Sequence, residues 1–158
     1  MKRLIQFCTA MIISFLPGIF GVFFTPHGDS NLWYNALVKS DLTPAGIVFG
    51  IAWTILYIML GVALYLVIKN VRAKASEKIR AYALFGVQLL LNAGWSYIFF
   101  GLHMTAIALV TLLALFIVSA CMSRVFYRID HGAGLVVIPY LLWMIFAFYL
   151  NAYIVLMN

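Results

Sequence analysis

Five runs of the chain, 4–24, 44–68, 81–101, 104–123 and 133–157, contain no Asp, Glu, Lys, Arg or His. They are 21, 25, 21, 20 and 25 residues long, and as helices each spans a hydrocarbon layer of roughly 30 Å. Backbone polar groups find no water in that layer, so a spanning segment must satisfy them within itself or in a closed barrel. The runs lack the in–out alternation of barrel strands, which leaves helices. They take 112 of the 158 residues, and the remaining 46 are shared by two ends and four connections. The expectation is one all-α integral membrane domain over 1–158, a bundle of five transmembrane helices. Composition agrees, with 66% apolar and 9% charged residues, where soluble domains average about half and about a quarter. A water-soluble globule, a disordered tail and a nucleic-acid-binding module are excluded.

The net charge of +6 is explained by where the cations sit. Lys2 and Arg3 precede the first run, Lys69, Arg72, Lys74, Lys78 and Arg80 lie between the second and third, and Arg124 and Arg128 between the fourth and fifth. In a five-helix chain these three regions share one side. The other side has Lys39, offset by Asp29 and Asp41. The positive-inside rule then predicts a cytoplasmic N-terminus and an external C-terminus, and the basic 69–80 connection can meet anionic lipid. Lys2-Arg3 before an apolar run also resembles a signal peptide, but the run continues past Pro17 to Phe24 without a small-x-small cleavage site, so a retained helix is expected. Pro17-Gly18 is expected to kink it.

Two connections differ from the rest. Leu102-His103 alone joins the third and fourth runs, which makes them an antiparallel hairpin. The 25–43 connection has 19 residues, carries Trp33 and Tyr34, and is read as a lid, since long ordered loops in compact proteins are usually functional.

Intramembrane ionisable groups mark ion pathways and proton relays; the spans hold none, which argues against an ion-driven pump. Cys8 and Cys121 sit in apolar runs and imply no disulfide framework. No metal-ligand spacing, phosphate loop or Ser/His/Asp set occurs, and His27, His103 and His131 fall at helix ends or in loops. Neither a metal nor a required cofactor is expected.

Aromatic and neutral polar residues remain. Tryptophan in membrane proteins concentrates at the interfaces, yet Trp53 lies ~13 Å, Trp95 ~9 Å and Trp143 ~21 Å from the external end of its helix. Phe49, Trp53 and Tyr57 recur at i, i+4 and form one stripe; Gln88, Asn92, Trp95 and Phe99 share a face, and Asn151 lies nearer the outside. Packing with Asn and Gln as interhelical glue is the plain reading of each alone. Together, beneath a Trp-Tyr loop, they suit a flat, largely apolar ligand held by stacking and a few hydrogen bonds. Gly46-xxx-Gly50 permits close helix contact, within one chain or between two chains, and Gly18 and Gly21 could relieve packing or make room for a ligand.

These residues form patterns. Trp33-Tyr34-x-x-Leu37-x-Lys39, Thr43-Pro44 and Phe49-Gly50-x-x-Trp53-Thr54-x-x-Tyr57 resemble the translocator protein / tryptophan-rich sensory protein (TspO/MBR) family. So do Leu91-Asn92-x-x-Trp95-Ser96-x-x-Phe99-Phe100-Gly101 and Pro139-Tyr140-Leu141-x-Trp143, continuing to Leu150-Asn151. The resemblance covers nearly the whole chain. It implies a pocket beneath the first loop that binds porphyrins such as protoporphyrin IX and other flat hydrophobic molecules, and a homodimer in the membrane. By motif match the pocket residues are Trp33, Tyr34, Pro44, Phe49, Trp53, Tyr57, Gln88, Asn92, Trp95, Phe99, Trp143 and Ala147. Where a relative degrades porphyrin in light, Trp53 and Trp143 are the matching tryptophans. The chain departs from the family at Ser40, Leu42 and Ala45, where Pro, Trp and Pro are common, so its lid is less rigid. Tyr153 is followed by no basic residue, so the animal sterol motif is absent. The short chain fits a bacterial member in the cytoplasmic membrane. The function expected is a tetrapyrrole-binding sensor or carrier; the alternatives are a light-dependent porphyrin-degrading enzyme, a passive solute transporter, and a regulatory or structural membrane partner whose pocket is incidental.

Overall fold

The computed structural model describes residues 1–25 and 31–158; His27 and Asp29 lie outside the described residues. Seven α-helices follow in chain order: α1 (Lys2–Val22), α2 (Leu32–Ala36), α3 (Gly46–Lys69), α4 (Ala75–Ser96), α5 (Thr105–Ile129), α6 (His131–Val136) and α7 (Ile138–Met157). A π-helical turn, Tyr97–Gly101, prolongs α4. Among the described residues five helical stretches are long and apolar enough to cross a membrane: α1, α3, α4 with its π turn, α5, and α6 with α7. The chain is an all-helical, multi-pass integral membrane protein.

The observed ends differ from the apolar runs where the helix outlasts its hydrophobic part. α4 starts at Ala75 instead of 81, because the Glu77 carboxylate accepts the Lys74 N–H at 3.0 Å in a capping box that satisfies a first-turn donor. α5 runs to Ile129 instead of 123, so Arg124 and Arg128 are helical; arginine carries its charge to the interface on an apolar stem. The fifth span is two helices. Asp130 Oδ1 accepts the Ala133 N–H at 3.1 Å and starts α6, and the chain restarts at Val137, with Pro139 in the first turn of α7, where no N–H is needed. Between α4 and α5 only Leu102 to Met104 intervene, and His103 takes φ 57° to reverse the chain, a left-handed position that histidine tolerates better than most residues.

In cross-section α1 lies between α3 and α4, α4 beside α5, and α5 beside α6 and α7, which close the ring against α3. α1 buries Ala10, Ser14, Pro17 and Gly21, a stripe of small residues that lets the backbones approach. A methyl on Gly18 would stand 2.6 Å from the Tyr57 ring, and one on Gly61 2.7 Å from Met11 Sδ. Gly18 and Gly21 therefore relieve packing, Gly21 against Ser96. At Gly46 and Gly50 nothing among the described residues lies within 4 Å of a built Cβ, so of the two readings of this pair the contact within the chain is not the one observed. Cys8 and Cys121 are free thiols on the exposed surface.

Along the axis the bundle has a basic end, holding Lys2, Arg3, the α3–α4 and α5–α6 connections, and a lid end, where 31–45 and the C-terminus meet. The basic half is filled. Leu60, Leu64 and Val67 pack with Phe85, Met122, Phe126, Ala133 and Val137, all buried, and Phe85 stacks on Phe126 with ring centroids 6.2 Å apart.

Candidate functional site

Above that packed half lies a layer of neutral polar side chains from three helices. The Tyr57 hydroxyl donates to Asn92 Oδ1 at 3.0 Å, and the Tyr140 oxygen accepts from Asn92 Nδ2 at 2.9 Å and Gln88 Nε2 at 2.6 Å. Tyr140 and Gln88 are fully buried, and Asn92 and Tyr57 nearly so. Hydrogen-bonded neutral groups avoid the cost of an unpaired charge in an apolar interior. Gln88 Oε1 is buried with no hydrogen-bond partner among the described residues. Tyr57, Gln88 and Asn92 thus join helices as well as forming the floor of the lid-end half. Sequence reasoning missed Tyr140 as a member of this layer. The available signal was a phenol in mid-span, which when buried usually needs a partner.

Between this floor and the lid, α3 and α7 approach less closely than the other neighbours, and aromatic rings bridge them in two rungs. Trp53 meets Tyr140 edge-on at 6.2 Å, and one turn nearer the lid Phe49 meets Trp143 at 5.8 Å. Trp53 also tilts against Tyr57 at 5.5 Å. Trp53 and Trp143 are both half-buried, and Ala147 is buried on α7. Trp143 Nε1 is shielded from solvent yet has no acceptor among the described residues, and a buried donor left unpaired is costly. On the outer side of the same seam a groove of about 440 Å³ opens between Ala52, Ile55, Leu56 and Met59 of α3 and Pro139, Leu142, Trp143 and Phe146 of α7. Trp143 is the one predicted site residue on its wall, so this tryptophan belongs to the outer groove as well as to the inner rung.

The other predicted residues gather around α4. Trp95 stacks on Phe99 at 5.1 Å and donates through Nε1 to Asn151 Oδ1 at 3.2 Å, while Asn151 Nδ2 donates to the Thr105 carbonyl at 3.0 Å. The π turn uses i→i+5 bonding, as in Leu102 N–H to the Tyr97 carbonyl at 3.0 Å, and such turns recur at functional sites. It sets Phe99 and Phe100 at right-angle contact, 4.8 Å apart.

The lid rests on that turn. Asn31 caps α2 by accepting the Tyr34 N–H at 2.8 Å. Trp33 stacks on His103 at 4.0 Å and meets Phe99 at 5.7 Å; Tyr34 meets Phe99 and Phe100 at 6.3 and 5.5 Å. Lys39 Nζ donates to the Tyr34 and Leu37 carbonyls at 2.7 and 3.1 Å, closing the end of α2 with a cation, as helix C-termini favour. Burial raises the Tyr34 phenol above its ordinary pKa, so it stays neutral. Asn158 then clamps Val38 through both backbone groups, at 2.9 and 3.2 Å, and Ser40 Oγ lies 3.0 Å from the Tyr149 hydroxyl. The described part of the lid is therefore held without the prolines missing from it. Its rings meet α4 and His103, while Trp53 and Trp143 occupy the α3–α7 side; Pro44, half-buried just before α3, joins the two.

A five-span helical membrane protein, with an uncharged layer of aromatic rings between a hydrogen-bonded polar layer and the short helix α2, is the class these elements define. Residues 10–157 match the TspO/MBR family. The chain is 35% identical over 157 residues to Tryptophan-rich protein TspO of Chlorobaculum tepidum, covering 99% of this chain and 98% of that protein. It is 39% identical over 142 residues to Tryptophan-rich protein TspO of Archaeoglobus fulgidus (89% of each), and 34% identical over 125 residues to the human Translocator protein, 79% of this chain and 74% of that one. The chain belongs to the TspO/MBR family.

Proposed function

We propose that the chain is a membrane sensor or carrier that binds tetrapyrroles such as protoporphyrin IX, and related flat hydrophobic molecules, at the α3–α7 seam beneath the lid. The observation that carries the reading is the Trp143 indole N–H, buried with no acceptor among the described residues at the seam where Phe49 of α3 meets Trp143 of α7. A ligand carbonyl or ring nitrogen would supply the acceptor, and Phe49, Trp53 and Trp143 would supply ring faces. The names of the relatives, tryptophan-rich sensory protein and translocator protein, agree with sensing or carriage. Trp33, Tyr34, Pro44, Trp95 and Phe99 act in this reading as lid and far wall, Ala147 as the small residue that leaves space, and Tyr57, Gln88 and Asn92 as the floor.

The test is titration of the purified full chain with protoporphyrin IX, followed by tryptophan quenching and the porphyrin Soret band. Trp53→Phe combined with Trp143→Phe is expected to weaken binding at least tenfold, the loss of roughly 1.4 kcal/mol or more of stacking and hydrogen bonding. Unchanged affinity in a double variant that keeps its helical content overturns the reading.

A second reading, light-dependent oxidation of the bound porphyrin by dioxygen, is favoured by the contact of Trp53 with both Tyr57 and Tyr140, a cluster of oxidisable rings. New bilin-like absorbance on aerobic illumination, exceeding that of the Trp53→Phe/Trp143→Phe variant, supports it; equal bleaching in both rejects it.

The distribution of basic residues supports a cytoplasmic N-terminus, the bacterial relatives agree with a bacterial cytoplasmic membrane, and Gly46 and Gly50, open on the outside of α3, leave a small-residue surface for a second copy. Labelling of Asn158→Cys by an impermeant maleimide in intact cells tests the orientation, and cross-linking of Gly46→Cys the pairing.

A further inference from the structure

A second hollow, of about 510 Å³, opens at the basic end between α5 and the α6–α7 break, lined by none of the residues of the α3–α7 groove. Its walls change character along the membrane normal. Ala120, Leu135 and Ile138 are apolar and face the lipid, Leu135 and Ile138 being 53% and 43% exposed. Tyr127 and Arg124 stand at the rim. α5 begins at Thr105, so at 1.5 Å per residue Arg124 lies about 28 Å along it, at the far boundary of a hydrocarbon layer of roughly 30 Å. Its guanidinium thus reaches the level of lipid phosphates.

The local carboxylates do not answer this charge. Asp130 is engaged as the cap of α6, accepting the Ala133 N–H, and Glu77 as the cap of α4, accepting the Lys74 N–H. Among the described residues no ion pair or hydrogen bond engages Arg124. The hollow is also built to persist. Gly134 allows α6 to lie directly on α5, where a methyl would come 2.4 Å from Tyr127 Cβ and 2.7 Å from its Cα, and Ser123 Oγ donates to the Gly134 carbonyl at 3.0 Å. His131 braces the Tyr127 ring edge-on at 4.5 Å.

We infer that this hollow is a binding site for one anionic phospholipid, its phosphate on Arg124 and one acyl chain along Ala120 and Ile138. Arginine recognises phosphate through paired N–H donors, tyrosine is at home at the headgroup level, and the apolar wall continues in the direction that the chain must take. The inference does not depend on what the α3–α7 seam binds.

Native mass spectrometry of the full chain, released from detergent with equal amounts of dioleoyl-phosphatidylglycerol and dioleoyl-phosphatidylcholine, tests it. The expected result is a phosphatidylglycerol adduct favoured by about fivefold, the preference one arginine near an anionic surface supplies. Arg124→Gln should bring the two lipids to parity, whereas Arg3→Gln, the same charge change elsewhere on this end, should keep the preference. Inorganic phosphate should leave the adduct in place. Equal retention of both lipids by the unmodified protein overturns the inference, as does a preference that survives Arg124→Gln. Displacement of the lipid by millimolar phosphate alone would make this a soluble-phosphate site and overturns it too.

Discussion

Tyr140→Phe isolates the polar floor, because it deletes one oxygen and leaves the ring. That oxygen is the shared acceptor for Gln88 Nε2 and Asn92 Nδ2 in a fully buried position. Interhelical hydrogen bonds in membrane proteins are worth ~0.6 kcal/mol on average and up to ~1.7. Two lost bonds give ~1.2–3.4 kcal/mol, a shift of roughly 8- to 300-fold in the folded-to-unfolded ratio. Tyr57→Phe removes one bond to the same amide, that to Asn92 Oδ1, and should cost ~0.6–1.7 kcal/mol. The two substitutions share Asn92, so their effects should not add. Reversible unfolding in mixed micelles by titration with dodecyl sulfate, read by circular dichroism, gives both values and the coupling. If Tyr140→Phe unfolds within ~0.3 kcal/mol of the parent, or costs less than Tyr57→Phe, the floor does not hold the helices together and the reasoning fails.

Other substitutions test separate contacts. Gly134→Ala should destabilise by ~1–3 kcal/mol or more, since its methyl meets Tyr127 backbone that cannot turn aside; a thermal midpoint unchanged in the same micelles would contradict the α5–α6 packing. Gly50→Ala, with nothing within 4 Å, should be neutral or stabilise by up to ~1 kcal/mol through helix propensity; a marked loss that depends on protein concentration would show that a second copy packs there. Asn158→Ala removes both bonds to Val38, so hydrogen exchange over 32–40 should rise roughly two- to tenfold, the equivalent of ~0.5–1.5 kcal/mol, while exchange in α5 stays unchanged. Trp95→Phe keeps the stack on Phe99 but loses the bond to Asn151, and should cost ~0.5–1.5 kcal/mol by the same unfolding assay.

The sequence by itself determined the five spans, their order and the end at which the cations gather, because bilayer thickness and the absence of water act on every residue of a run independently of its neighbours. It also singled out Asn92, Trp53, Trp95 and Trp143 as residues that need a reason to be deep. It misjudged the ends of α4 and α5, where capping by Glu77 and the reach of Arg124 extend helices past the apolar stretch. Only the tertiary structure decided which small residues meet a neighbour. Gly46-xxx-Gly50 has the spacing and no contact among the described residues, while Gly18, Gly61 and Gly134 have the contacts. It alone made Tyr140 the hub of Asn92 and Gln88, and turned the lid onto the π turn while α7 presents Trp143 to the opposite seam. These are matters of helix rotation and neighbour choice. In a medium as apolar as the helices themselves, hydrophobic pattern cannot fix them, and close packing and hydrogen bonds between specific partners do.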